Sequence, residues 1–284
     1  MSEHETYLAK ADADVAFAVA NTESPFTIAV RFLGGLTASQ MAAFRAAADR
    51  WTRMIVGDLP SVMVDGELID DVLILAQGTA IDGTGGVLGQ AGPTWLRPAS
   101  AGAAAHLPAK GVMAFDTADL ARMEKEGTLG DVITHEMGHV IGIGTIWKRK
   151  SLLKGEGTAN PTFGGKAAMK EYGLLRGDGG PRRVPVENTG GQGTQDSHWR
   201  ETIFRNELMS GFIQKAGNPI SRVTVASLED LGYQVNLDAA EPYQLPNLML
   251  LAEKGLLVAH EAPIDAGMML GSIPLVLPEE SLQA

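Results

Sequence analysis

Apolar and polar positions alternate through FTIAVRFL at 26–33, a run rich in β-forming side chains, and this predicts a strand. Gly34 and Gly35 turn the chain, and Thr37 stands where a helix N-cap belongs. From there to about Ile55 the period changes. Met41, Phe44, Ala48, Trp51 and Ile55 recur at helical spacing. DDVLILAQG at 70–78 is a near-continuous apolar run, as expected of a buried strand. Strand, helix and strand in that order form a βαβ unit and predict a partly parallel sheet. A short edge strand is expected near Val87–Gln90, inside a glycine-rich irregular stretch over 81–98. KGVMAFD at 110–116 reads as another strand, and TADLARMEKE at 117–126 as a short polar helix or turn.

Elsewhere the pattern is weaker. Residues 1–24 read as an acidic, alanine-rich lead-in, most simply a solvated tail. Glycine and proline are dense from Lys154 to Gln195, which predicts a long loop region with one short helix over 165–175. Loops of that length inside a domain are usually functional or mobile. SRVTVASLEDLGY at 221–233 is amphipathic, with Ser221 as its cap, and reads as the last core helix. Beyond about Pro246 hydrophobic patches are broken by proline and glycine. The division expected is a lead-in at 1–24, an N-terminal subdomain at 25–142, a C-terminal subdomain at 143–245 and a tail at 246–284.

One stretch fits poorly with a purely structural reading. THEMGHVIGIG at 134–144 places two of the six histidines four residues apart in what reads as a buried helix. Thr128 through Asp131 fits a capping box opening that helix, and Gly142 is a natural stop. Four residues is about one turn, so His135 and His139 share a face and can grip one ion at roughly 2.0–2.1 Å each. Glu136 lies about 100° round the helix, able to reach a water on that ion without being a ligand itself. Val132, Ile133, Met137 and Val140 cover the other faces.

Composition narrows the chemistry. The chain has no cysteine, so no disulfide forms and a transition-metal site must use histidine and carboxylates. A net charge of −11 argues against nucleic acid or an anionic membrane as partner. No apolar run reaches the length of a membrane span, and the N-terminus lacks the basic region of a secretory signal. Export by another route and residence in the cytoplasm both stay open. So does the oligomeric state.

A catalytic zinc usually has three protein ligands and one open position. The remaining histidines are His4 in the lead-in, His106 in a small-residue loop, His260 in the tail and His198. His198 lies in QDSHWRETIFRNELMSG, just upstream of a turn containing Met209, which is the arrangement a third ligand needs.

HEMGHVIGIG resembles the H-E-x-x-H-x-x-G segment of the metzincin zinc peptidases. No histidine comes within a few residues of Gly142, and a long insertion before the third ligand resembles the leishmanolysin family. SHWRETIFRNELMSG…NPISRVTVASLEDLGYQVN is similar to that family's third-ligand segment, Met-turn and final helix. NPTFGGKAAMKEYG…VPVENTGGQGT is similar to part of its insertion. The resemblance covers roughly residues 65–236 and is nearest the compact bacterial members, because the eukaryotic ones are disulfide-rich. It implies an α+β metzincin-like zincin fold: a mixed twisted sheet, an active-site helix and a loop-rich C-terminal subdomain. It implies His135, His139 and His198 as zinc ligands, Glu136 as general base and Met209 beneath the site. The activity implied is a zinc-dependent endopeptidase acting on proteins or peptides. Gly211 stands where some metzincins carry a tyrosine ligand.

Two other readings stand beside this one: a binding module on the same scaffold without turnover, and a zinc hydrolase of non-peptide amides or esters. A calcium ion near Asp178 is the weaker expectation, since no D-x-D-x-D ladder is present and a plain turn explains the segment. Trp147 and Trp199 read as packing residues, and His106 as a solvated loop residue. Substrate is expected to lie extended along the edge strand near Val87–Gln90.

Overall fold

The computed structural model describes residues 4–247, apart from 82, 85–87, 192 and 214–215, together with 268–270 and 273–283. The lead-in is not a solvated tail. It forms strand β1 (Thr6–Lys10) and helix α1 (Ala13–Ala20), which Asp12 caps by accepting from the Val15 N–H. Ala9 and Ala16 are buried, and the Tyr7 hydroxyl donates to Asp49. Five residues with one inward-facing alanine leave almost no hydrophobic period among acidic neighbours, so the sequence pattern hides this strand.

Strand β2 (Thr27–Gly34) and helix α2 (Ala38–Thr52) follow the predicted periods, and Thr37 and Gln40 close a reciprocal capping box. A small hairpin, β3 (Val62–Val64) and β4 (Glu67–Ile69), precedes β5 (Val72–Thr79). Then come β6 (Gly89–Leu96) and β7 (Pro108–Asp116). The Asp116 carboxylate caps helix α3 (Thr117–Glu126) through the Ala118 and Asp119 N–H groups.

Helix α4 (Leu129–Val140) carries the H-E-x-x-H stretch, but it does not open with a capping box. Thr128 is already in a helical conformation, and its N–H bonds the Met123 carbonyl, closing α3 after Gly127 at φ +76°. Asp131 is used elsewhere. Its carboxylate pairs with Arg50 and accepts from the Gly217 N–H and from Asn218.

The region from 154 to 195 holds more regular structure than one helix. Strands β8 (Leu153–Lys154), β9 (Thr162–Phe163) and β10 (Val184–Pro185) form a three-stranded sheet, with α5 (Lys166–Leu175) between the last two. Strands of two residues have no period to read. Helix α6 (Glu201–Phe204) and α7 (Arg222–Leu231) follow, and Ser221 caps α7 by accepting from the Thr224 N–H. Helices α5 and α7 pack together, and Asp230 on α7 accepts from the Ala167 and Ala168 N–H groups at the start of α5.

The tail returns as β11 (Met268–Leu270) and β12 (Leu275–Val276). The main sheet then runs β1-β2-β5-β7-β6-β11, with β12 also on β6. Strands β2, β5 and β7 are mutually parallel, while β1 and β6 run antiparallel to their inner neighbours. The sheet is therefore mixed, and the predicted βαβ unit is its centre. Strand β6 is longer than the short edge expected at Val87–Gln90, and Val87 lies outside the described residues. Its outer side is paired in parallel with β11 and β12, so the chain's own tail takes the edge expected for substrate.

Helix α4 packs on β6, β7 and α2, which seats the histidine-bearing helix in the main core. A second apolar cluster joins Val62, Val64, Ile69, Leu73, Ala109 and Leu277. Beside it the fully buried Arg97 guanidinium donates to the carbonyls of Pro60, Asp70, Asp71 and Pro108. Among the described residues no helix is long and apolar enough to cross a membrane.

Leu277 is the tail's main contribution to that second cluster and is 5% exposed. Leu277→Ala is expected to cost about 2–3 kcal/mol, as a cavity between β12 and the β3–β4 hairpin. A lower urea midpoint at constant m-value is the measurement; an unmoved midpoint means the tail is not part of the cooperative unit.

Candidate metal centre

Two elements bring the site together: helix α4 and the segment from Thr194 to Gly211. On α4, His135 and His139 are fully buried, as is His198 in the second segment. Their Nε2 atoms converge: 3.0 Å between His135 and His139, 3.1 Å between His135 and His198, and 2.9 Å between His139 and His198.

Each ring is oriented from behind. His135 Nδ1 lies 2.7 Å from the Leu208 carbonyl, His139 Nδ1 2.8 Å from that of Ile143, and His198 Nδ1 2.9 Å from that of Thr194. A carbonyl only accepts, so each Nδ1 is the protonated nitrogen and each Nε2 presents a lone pair. Three inward lone pairs about 3 Å apart repel one another unless a cation sits among them. Tetrahedral ligands about 2.0–2.1 Å from an ion are separated by roughly 3.3 Å, close to what the three rings already show. The chain's donor set, its burial and its carbonyl backing thus fit a metal ion held by three imidazoles, and the group could hold one.

Glu136 is also buried, at 2% exposure, one position along from His135. The other histidines are elsewhere. His106 sits in a positive-φ turn, partly exposed, and His4 is exposed. His260 lies outside the described residues. Asp178 is engaged by Arg176 and Arg182, and two guanidinium groups on one carboxylate leave it a poor ligand for a cation.

Helix α4 is fastened at both ends of the motif. The Trp51 indole N–H donates to the Thr134 carbonyl at 2.9 Å. At the C-terminal end the Thr145 hydroxyl donates to the His139 carbonyl and the Tyr233 hydroxyl to that of Ile141. Gly144, with φ +76°, then brings the chain against the Ser197 carbonyl; a Cβ there would lie 2.1 Å from that oxygen.

The His198 segment is held by backbone pairing on both sides. The Glu187 N–H donates to the His198 carbonyl, and the Trp199 N–H to that of Met209. Trp199 stacks on Trp147 and packs edge-on against Phe163, so both tryptophans are packing residues as expected.

Met209 is fully buried beneath α4. A Cβ on Gly138 would lie 2.7 Å from the Met209 sulfur and 3.0 Å from the Trp51 ring. The glycine inside HEMGH therefore makes room for the methionine, a role the motif alone does not announce.

Three buried carboxylates, at 187, 201 and 207, also escaped sequence reasoning, because no spacing marks what they bond. Glu187 accepts from Asn188, Thr189 and the Glu201 N–H. Burial pushes Glu201 up to about 7, opposed by its hydrogen bond to Ser210 and by Arg205. Burial likewise pushes Glu207 up, against donors on Thr224, Ser221 and Met209.

Residues 181–249 match the profile of the Leishmanolysin family of peptidases. Two leishmanolysin-like peptidases, from Caenorhabditis elegans and Caenorhabditis briggsae, are each 47% identical over 58 residues. That is 20% of this chain and 8% of either relative, so the chain spans a small fraction of their length. The profile match contains His198, Met209 and α7, whereas His135, Glu136 and His139 precede it.

Two expected outcomes test the centre. Wild type should retain about one zinc per chain after dialysis against a weak chelator, and His198→Ala should lose it, because two imidazoles remain where three stood. Equal zinc content in both proteins removes His198 from the site. Gly138→Ala should destabilise the fold by about 1–3 kcal/mol through overpacking against Met209 and Trp51, read as a lower thermal midpoint.

Proposed function

We propose that this leishmanolysin-like chain is a zinc-dependent endopeptidase of metzincin type, with His135, His139 and His198 as the zinc ligands and Glu136 as the general base. The observation that carries the reading is the meeting of three carbonyl-backed imidazoles beside a buried carboxylate, two of them and the carboxylate from a single helical turn.

Zinc in such a site polarises a substrate carbonyl and makes a water acidic enough to attack near neutral pH. The chain's own residues do the rest. Glu136 accepts the proton of the attacking water and delivers it to the leaving amine, so one carboxylate serves first as base and then as acid. The carbonyls of Leu208, Ile143 and Thr194 keep the three rings in one tautomer throughout. Met209 closes the floor beneath them, as the Met-turn of this type of site. The absence of cysteine means that latency by a thiolate on the zinc is not available to this chain. Proteins or peptides are the substrates this reading assigns.

Glu136→Gln keeps the size of the side chain and removes its basicity. The expected outcome is unchanged zinc content with turnover of a broad peptide library reduced about 10²–10⁴-fold. Undiminished cleavage by the variant removes Glu136 from the chemistry. A wild type that binds zinc, leaves every peptide intact and hydrolyses small esters would overturn the peptidase reading.

A further inference from the structure

Glu207 is fully buried in the turn beneath the three imidazoles, downstream of His198 in the segment that carries it. Its Oε1 accepts from the Ser221 N–H at 2.9 Å, from the Ser221 hydroxyl at 2.8 Å and from the Thr224 hydroxyl. Its Oε2 accepts from the Met209 N–H at 2.6 Å. The Thr224 hydroxyl accepts in turn from the Trp199 indole N–H at 2.8 Å.

Two lines therefore leave this carboxylate toward the site. One runs through the turn itself: Glu207 fixes the N–H of Met209, and between them the Leu208 carbonyl holds His135 Nδ1. The other runs through Thr224 to Trp199, the residue next to His198. The two histidines come from different elements, 63 residues apart in sequence. Among the described residues, Glu207 is the one side chain bonded into both routes.

We infer that Glu207 is a positioning residue that holds His135 and His198 in mutual register, so that the affinity of the site for a metal ion depends on its carboxylate. This rests on the reading of the three histidines as ligands. The chemistry is specific to a carboxylate, since two backbone N–H groups and two hydroxyls all donate to it. An amide must turn its own donor toward either the Met209 N–H or the Ser221 N–H, and two donors facing each other in a buried place push the turn apart. A loosened turn displaces the Leu208 carbonyl and with it the His135 ring. A partner one step behind a metal ligand, here the Leu208 carbonyl that Glu207 steadies, typically sets its affinity by about 10–100-fold.

The bland alternative is that Glu207 only caps α7, since Ser221 and Thr224 open that helix. The experiment separates the two by titrating the full-length apoprotein with Zn²⁺ against a competing chelator, and with Co²⁺ followed by its visible absorption. The proteins are wild type, Glu207→Gln, Thr224→Val and Asp230→Asn. Asp230 holds the start of α5 in the same subdomain, makes none of the bonds above, and serves as the control for general destabilisation.

Glu207→Gln is expected to lower metal affinity about 10–100-fold and to shift the cobalt bands. Thr224→Val, which cuts only the Trp199 route, should show a smaller loss of the same kind, and Asp230→Asn neither. If Glu207→Gln cannot be obtained folded, Thr224→Val decides alone. Lowered thermal midpoints with wild-type metal affinity and wild-type cobalt spectra overturn the inference and leave Glu207 as a cap. A wild type that takes up neither metal overturns the reading of the histidines themselves, a different result from wild-type binding that Glu207→Gln leaves unchanged.

Discussion

Three imidazole lone pairs aimed at one buried point repel each other, and the surrounding structure is what holds them there. Each ring has its outer nitrogen on a carbonyl, and the three carbonyls come from three separate places: Thr194, Leu208 and the first turn after α4 at Ile143. None of these carbonyls belongs to a regular strand or helix, so each is free to face a ring. The cost of converging like groups is set against the affinity for a cation, so an ion held there would contribute to the fold's energetics.

The two halves of the site solve the positioning problem differently. Helix α4 is held by packing: it lies on β6, β7 and α2, and its flanks are buried. The segment bearing His198 also packs, through Trp199, Phe204, Leu208 and Met209, but it has little regular structure. It is fixed in addition by polar groups, with the buried glutamates at 187 and 207 accepting from backbone and hydroxyl donors. The halves meet where Met209 slides under Gly138 and where Gly144 rests on the Ser197 carbonyl. Both contacts need a missing side chain, so the glycines of HEMGHVIGIG are as much a part of the interface as its apolar residues.

How much of this could be read from the sequence follows the same division. Where burial is periodic, as in β2, α2, β5 and α7, alternation or helical spacing gave the element and nearly its ends. His135 and His139 were legible because one helix fixes their separation. His198 was picked out by its neighbours and by family resemblance, since nothing in chain spacing links residues 139 and 198. Three failures each have a physical cause. The two-residue strands β8, β9 and β10 are too short to show a period. Strand β1 and helix α1 bury only a few small side chains. The capping role assigned to Thr128 and Asp131 was lost to a partner distant in sequence, the 217–218 backbone. Glu207 could not be found in the sequence at all, because no spacing marks Met209, Ser221 and Thr224 as its partners.

The chain has four tryptophans, and three of them, Trp51, Trp147 and Trp199, are wholly enclosed around the imidazoles. Trp51 is bonded to the helix of His135, Trp199 adjoins His198, and Trp147 stacks on Trp199. The protein thus carries a built-in optical gauge. Its intrinsic fluorescence comes largely from indoles whose surroundings change when the two halves of the site come apart, so emission colour follows the assembly of that junction without any attached dye.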